Sequence, residues 1–172
     1  MIKALTVHQP WATLIALGAK RIETRSWSTS YRGPIAIHAG KNRDDCADAM
    51  AGNDRLLRLL TQHGVHPSAV NDVPFGAIVA TATLVACARM LRDICPGDVS
   101  YVVGGDVRFP SAQERALGWW EPGRSAWVLD DVTPLDTPIP TRGYQGLWDW
   151  DESPVVSSAA LSTTADGDGT NR

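Results

Sequence analysis

The apolar positions fall into short runs separated by turn residues. Ala4 to Val7 predicts a first strand. Pro10 suits the first position of a helix, where a missing N–H costs no intrahelical bond, and Ala12 to Leu17 carries that helix to Gly18, a natural stop. Arg21 to Arg25 predicts a second strand, with Glu23 and Arg25 on one face and Ile22 and Thr24 on the other. Pro34 to His38 reads as a third. Asp44 to Gln62 reads as helical, with Leu56, Leu57, Leu59 and Leu60 on its later turns and Gly52-Asn53 placed to split it in two.

Gly76 to Cys87 holds the longest strand signal, Ala77 to Val85. Residues 88–122 are punctuated by Gly and Pro and read as an insertion with a short helix from Ser111 to Leu117. Ala126 to Leu129 predicts a strand, and Pro138 to Pro140 and Leu147 to Trp150 predict short further ones. From Asp151 the chain turns to Ser, Thr, Ala, Asp and Gly without a packing pattern, which predicts a disordered tail over 151–172. Strands at this spacing with two main helices predict an α+β domain over 1–150, built as a small mixed β-barrel with helices packed against it.

Composition narrows the class. A chain of 172 residues, 44% hydrophobic, is long enough for one domain with a sizeable core. No apolar window approaches the length of a membrane span, and the first residues carry no secretory pattern. Cys46, Cys87 and Cys95 are odd in number and lack CxxC spacing, which argues against a disulfide framework or a zinc ribbon and fits a reducing cytoplasm. There is no P-loop, dinucleotide fingerprint, GxSxG or HExxH, so no cofactor and no metal are expected.

Charge is uneven. Net charge is −3, yet residues 1–43 hold seven Lys or Arg against the single acid Glu23, a local +6. Such a segment predicts an anion-facing surface. The densest stretch within it is Gln9-Pro10-Trp11-Ala12, then Gly18 to Arg25, then Trp27 and Tyr31-Arg32-Gly33-Pro34. Lys20, Glu23 and Arg25 flanked by Trp11 and Trp27 could line a cleft, where aromatic faces stack a base and cations hold its phosphate. The same three charges would also be explained by a surface ion-pair ladder of little energetic weight.

Gly18-x-Lys20-x-x-Glu23-x-Arg25 resembles the GxKxxExR motif of the ASCH family, the activating signal cointegrator homology domain. Gln9-Pro10-Trp11-Ala12, Tyr31-Arg32-Gly33-Pro34, the Gly76 strand, Gly123-x-x-Ala126-Trp127, Pro138-Ile139-Pro140 and Gly146-Leu147-Trp148 are similar to that family as well. The resemblance implies a PUA-like barrel with a cleft between the early helix and the barrel that binds RNA or a modified nucleoside. Gln9, Trp11, Lys20, Glu23, Arg25, Trp27 and Arg32 are the binding candidates, with Lys20 at the cleft mouth.

Two enzymatic alternatives stay open. Some small family members resemble amidohydrolases acting on N4-acetylcytidine, with the motif lysine catalytic, which would make Lys20 and Glu23 the catalytic candidates; that branch has Thr where this chain has Glu23. Others are linked to RNA cleavage, here metal-independent because no carboxylate cluster is visible. Beyond the motif, His8 and His38 end two predicted strands and could meet. Trp119-Trp120 near Arg124 could cap the cleft or equally pack the insertion, and Trp127 reads as core.

Overall fold

The computed structural model describes residues 1–66, 73–92 and 98–151. Within them lie eight strands and four helices: β1 (Ile2–Val7), α1 (Trp11–Ala16), β2 (Ile22–Arg25), β3 (Gly33–Ala39), α2 (Arg43–Met50), α3 (Asp54–Gln62), β4 (Ala77–Arg92), β5 (Val99–Val103), β6 (Asp106–Arg108), α4 (Ala112–Leu117), β7 (Ser125–Pro140) and β8 (Leu147–Trp150). The predicted tail lies outside the described residues. No described helix is long and apolar enough to cross a membrane.

Local signals account for most of the helices. Gly18 ends α1 at a φ of +72°, a conformation that favours glycine, and the Leu14 carbonyl is then taken up by the Lys20 amide at 3.0 Å. The long predicted helix is two helices, divided at Gly52-Asn53 because the Asn53 side chain accepts from the Leu56 amide and starts α3 afresh. Ser111 likewise caps α4 by accepting from the Glu114 amide.

The sheet runs in the order β2-β7-β4-β3-β1-β8, with the β5–β6 hairpin attached to the far end of β4. β1 and β3 are parallel, and every other pair is antiparallel. β4 is the spine. It pairs with β3 on one side and β7 on the other, and three register shifts against β7 bend the pair. The core on one face comprises Leu5, Val7, Ile15, Ile35, Ile37, Leu84 and Leu129 around the fully buried Trp127. Leu14, Cys46, Leu56 and Leu60 form a second cluster under the helices. Trp127 is core, as its sequence context predicts.

Two expectations are corrected. The sheet does not close into a barrel: among the described residues its end strands β2 and β8 pair with β7 and β1 only. β2 has just four residues, and its outer edge is met by side chains rather than by another strand. Pro138 to Pro140 is not a separate strand but the end of the 16-residue β7. The prolines fit there because β2 covers only Ser125 to Val128, leaving the rest of that edge without a ladder to break. The first five residues of the segment 88–122 continue β4.

Candidate functional site

The gap between β2 and the end of β1 opens into a cleft of about 810 Å³. Val7 and His8 line one side, Glu23, Thr24, Arg25, Ser26 and Trp27 the floor, and Trp11 of α1 contributes an aromatic face. The remaining wall comes from far along the chain: Arg115, Leu117, Gly118, Trp119, Trp120 and Arg124.

At the floor, a carboxylate is held between two cations. Arg25 Nε lies 3.0 Å from Glu23 Oε1, at ion-pair distance though not aligned for a hydrogen bond. Lys20 Nζ lies 3.5 Å from Glu23 Oε2 and also donates to the Ile22 carbonyl. Arg25 donates through Nη2 to the Thr6 carbonyl at 2.6 Å. These groups do not form a surface ladder: Lys20 is only 1% exposed and Glu23 is buried with it. The network therefore neutralises its one acid internally and leaves the cleft's other charges uncompensated by it.

A fourth ionisable group stands behind the network. Glu114 of α4 accepts from the Arg21 amide at 2.7 Å, while its Oε2 is buried without a well-aligned partner. Burial pushes its pKa up, against the Arg21 amide and the Lys20 charge, which pull it down.

The upper wall is aromatic and cationic. The Arg124 guanidinium lies 4.4 Å above the Trp119 ring centre and bonds the Trp119 and Thr24 carbonyls, yet Trp119 stays 64% exposed. Trp119 is tied to β2 by its amide, which donates to Thr24 Oγ1 at 2.9 Å. Among the described residues no carboxylate pairs with Arg124.

The sequence candidates are thus divided. Trp11, Glu23, Arg25 and Trp27 line the cleft. Lys20 sits behind its wall rather than at its mouth. Gln9 is fully buried and serves the backbone, donating to the Pro74 carbonyl and accepting from the Thr13 amide. Arg32 is spent on the carbonyls of Thr29, Tyr31 and Cys87, away from the cleft lining. His8 and His38 have different partners, Asp45 at 3.0 Å and the Thr141 carbonyl at 3.1 Å. Arg115 and Gly118 carry no sequence signal. Trp119, Trp120 and Arg124 do, as an aromatic pair followed by a cation. Among the described residues no cluster of three or more His, Cys, Asp or Glu is placed to hold a metal ion.

Comparison with known proteins places this chain in a family. Over 85 residues, 48% of this chain, the sequence is 39% identical to activating signal cointegrator 1 of Homo sapiens and 36% identical to that of Mus musculus. The aligned stretch spans only 14% of either relative. A family model for the ASCH domain matches residues 5–96, which include Gly18, Lys20, Glu23 and Arg25 but not Trp119 or Arg124. With more than half of its length matched, the chain belongs to the ASCH domain family.

Proposed function

We propose that the protein is a binding module for RNA or a modified nucleotide, that the cleft at the GxKxxExR motif receives a base, and that its domain, of PUA-like kind, extends to residue 150. The ASCH family is generally linked to RNA binding, and the chemistry of the cleft supports that reading here. The observation that carries it is the exposed Trp119 ring with Arg124 stacked on it, in one cleft with Trp11, Trp27 and Arg25. A planar, apolar base face fits against such rings, and the Arg124 guanidinium, which no described carboxylate neutralises, suits a phosphate.

Burial of Lys20 favours binding over turnover. A nucleophile or base must reach the reacting atom, whereas this ammonium is committed to the Ile22 carbonyl and Glu23 behind the wall. The test is titration of fluorescein-labelled single-stranded RNA with wild type, Trp119→Ala and Arg124→Gln, alongside mass spectrometry of N4-acetylcytidine incubated with wild type. Trp119→Ala should weaken binding about tenfold, the loss of one stacked base. Arg124→Gln should lower the slope of log K against log salt by about 0.7. Unchanged binding in both variants, or deacetylation of the nucleoside, would overturn this reading.

A further inference from the structure

A second pocket, of about 510 Å³, lies at the carboxyl end of β1. Thr6 lines it, whereas the next two residues, Val7 and His8, line the cleft. Its other walls are Lys41 and the turn 142–145, which carries Arg142 and the exposed Tyr144. The Arg142 guanidinium lies 5.3 Å from the Tyr144 ring centre. Among the described residues no carboxylate lies within ion-pair distance of Lys41 or Arg142.

The turn that holds these groups is built. Thr6 Oγ1 donates to the Tyr144 carbonyl at 2.9 Å, and Trp148 Nε1 donates to Thr6 Oγ1 at 3.2 Å. His38, 1% exposed, bonds the Thr141 carbonyl through Nε2, which leaves a bare Nδ1 buried under the turn without a partner. Gly143 permits this approach, because a Cβ there would come within 2.5 Å of that Nδ1. A fixed turn presenting Arg142 and Tyr144, with Lys41 across the same pocket, suits an anionic, partly planar ligand.

We propose that the Lys41–Arg142–Tyr144 pocket is a second nucleotide subsite, engaging a phosphodiester of the same strand whose base occupies the cleft, so that the ligand is an oligonucleotide rather than a free nucleoside. This rests on the reading of the cleft as a nucleotide site. Three consecutive residues at the carboxyl end of β1 are divided between the two pockets, Thr6 lining one and Val7 and His8 the other, and Arg25 reaches from the cleft to the Thr6 carbonyl. A strand crossing that end would meet Arg25 and then Lys41 and Arg142.

The experiment compares fluorescein-labelled uridine monophosphate with labelled oligouridylates of about two to eight nucleotides. Wild type should gain affinity with length. The double variant Lys41→Gln, Arg142→Gln should keep mononucleotide affinity, lose about tenfold for the longest oligomer, and show a salt slope lower by about 1.4, two single-strand contacts. Because the Lys41 stem packs across Gly76, Arg142→Gln alone provides a second variant, expected to lose about half of that slope. Wild-type oligomer affinity and slope in both variants would overturn the subsite, as would an affinity that does not grow with length. Trp119→Ala keeps the two readings apart: it should weaken mononucleotide and oligomer alike, and if it weakens neither while the double variant still loses the oligomer, the cleft reading alone fails.

Discussion

Arg25 donates through Nη2 to the carbonyl of Thr6 at 2.6 Å, joining β2 to β1 where no strand ladder does. One side chain thus takes the place of barrel closure, and the space it spans is the cleft. The same guanidinium sits 3.0 Å from Glu23. Arg25 is therefore both a brace and the cationic floor of the site.

Arg25→Ala should cost stability as well as binding. It strips Glu23 of one of two cations and leaves the Thr6 carbonyl unmet, a loss of about 3 kcal/mol at the low end for broken buried pairs, since the group is partly exposed. Urea unfolding would show a lower midpoint with an unchanged slope. A midpoint equal to wild type would mean the brace is dispensable.

Lys20 and Glu23 should behave as one unit. Lys20→Met leaves Glu23 and Glu114 buried with less compensation, and Glu23→Gln leaves the ammonium short of its partner. The double substitution should then be less damaging than the two single losses added together, with a coupling of about 1–3 kcal/mol in a double-mutant cycle. Additive losses would show that the 3.5 Å approach carries no energy.

Glu114 predicts a pH effect of definite sign. Burial raises its pKa in the folded protein, so the folded state holds the proton more tightly than the unfolded one. Its contribution is present in acid, below the unfolded carboxylate range, and is lost as pH rises through the raised value. Thermal melting of wild type and Glu114→Gln at about pH 4 and pH 7 should show wild type gaining on the variant in acid, below the ordinary carboxylate pKa of about 4.3. A gap independent of pH would remove Glu114 from the electrostatics of the site.

His38 predicts the opposite slope. Burial lowers its pKa, as does the Lys41 charge more weakly, against the Thr141 carbonyl; the Trp148 ring lies edge-on at 5.7 Å. The neutral imidazole is the folded form, so its contribution is present above the unfolded histidine pKa of about 6.5 and is lost as pH falls through the lower folded value. His38→Gln should flatten the decline of melting temperature in that window. A decline as steep as that of wild type would place its origin elsewhere.

Much of the local structure was legible along the chain. Gly18 stopped a helix where its backbone conformation was required, Asn53 restarted one, and the period-two pattern of β2 put Glu23 and Arg25 on a common side, as their ion pair shows. The family motif was legible too, because it lies within eight consecutive residues. These features depend on steric and hydrogen-bonding choices made within a few residues.

What lay beyond reach depended on residues distant in sequence. The motif alone puts Lys20 at the cleft mouth; it is buried instead, beside the Arg21 amide that Glu114 of α4 holds from over 90 positions away. The aromatic wall of the cleft was ambiguous for the same reason: Trp119 is held at the site by its amide, which reaches Thr24 on β2, and by Arg124. An open sheet and a closed barrel share the same alternation of apolar positions, since period two fixes which face a side chain takes and not which strand lies alongside. The residue types of the site were a property of the sequence, whereas the opening between β2 and β1, and the second pocket, came from strand pairing across the whole chain.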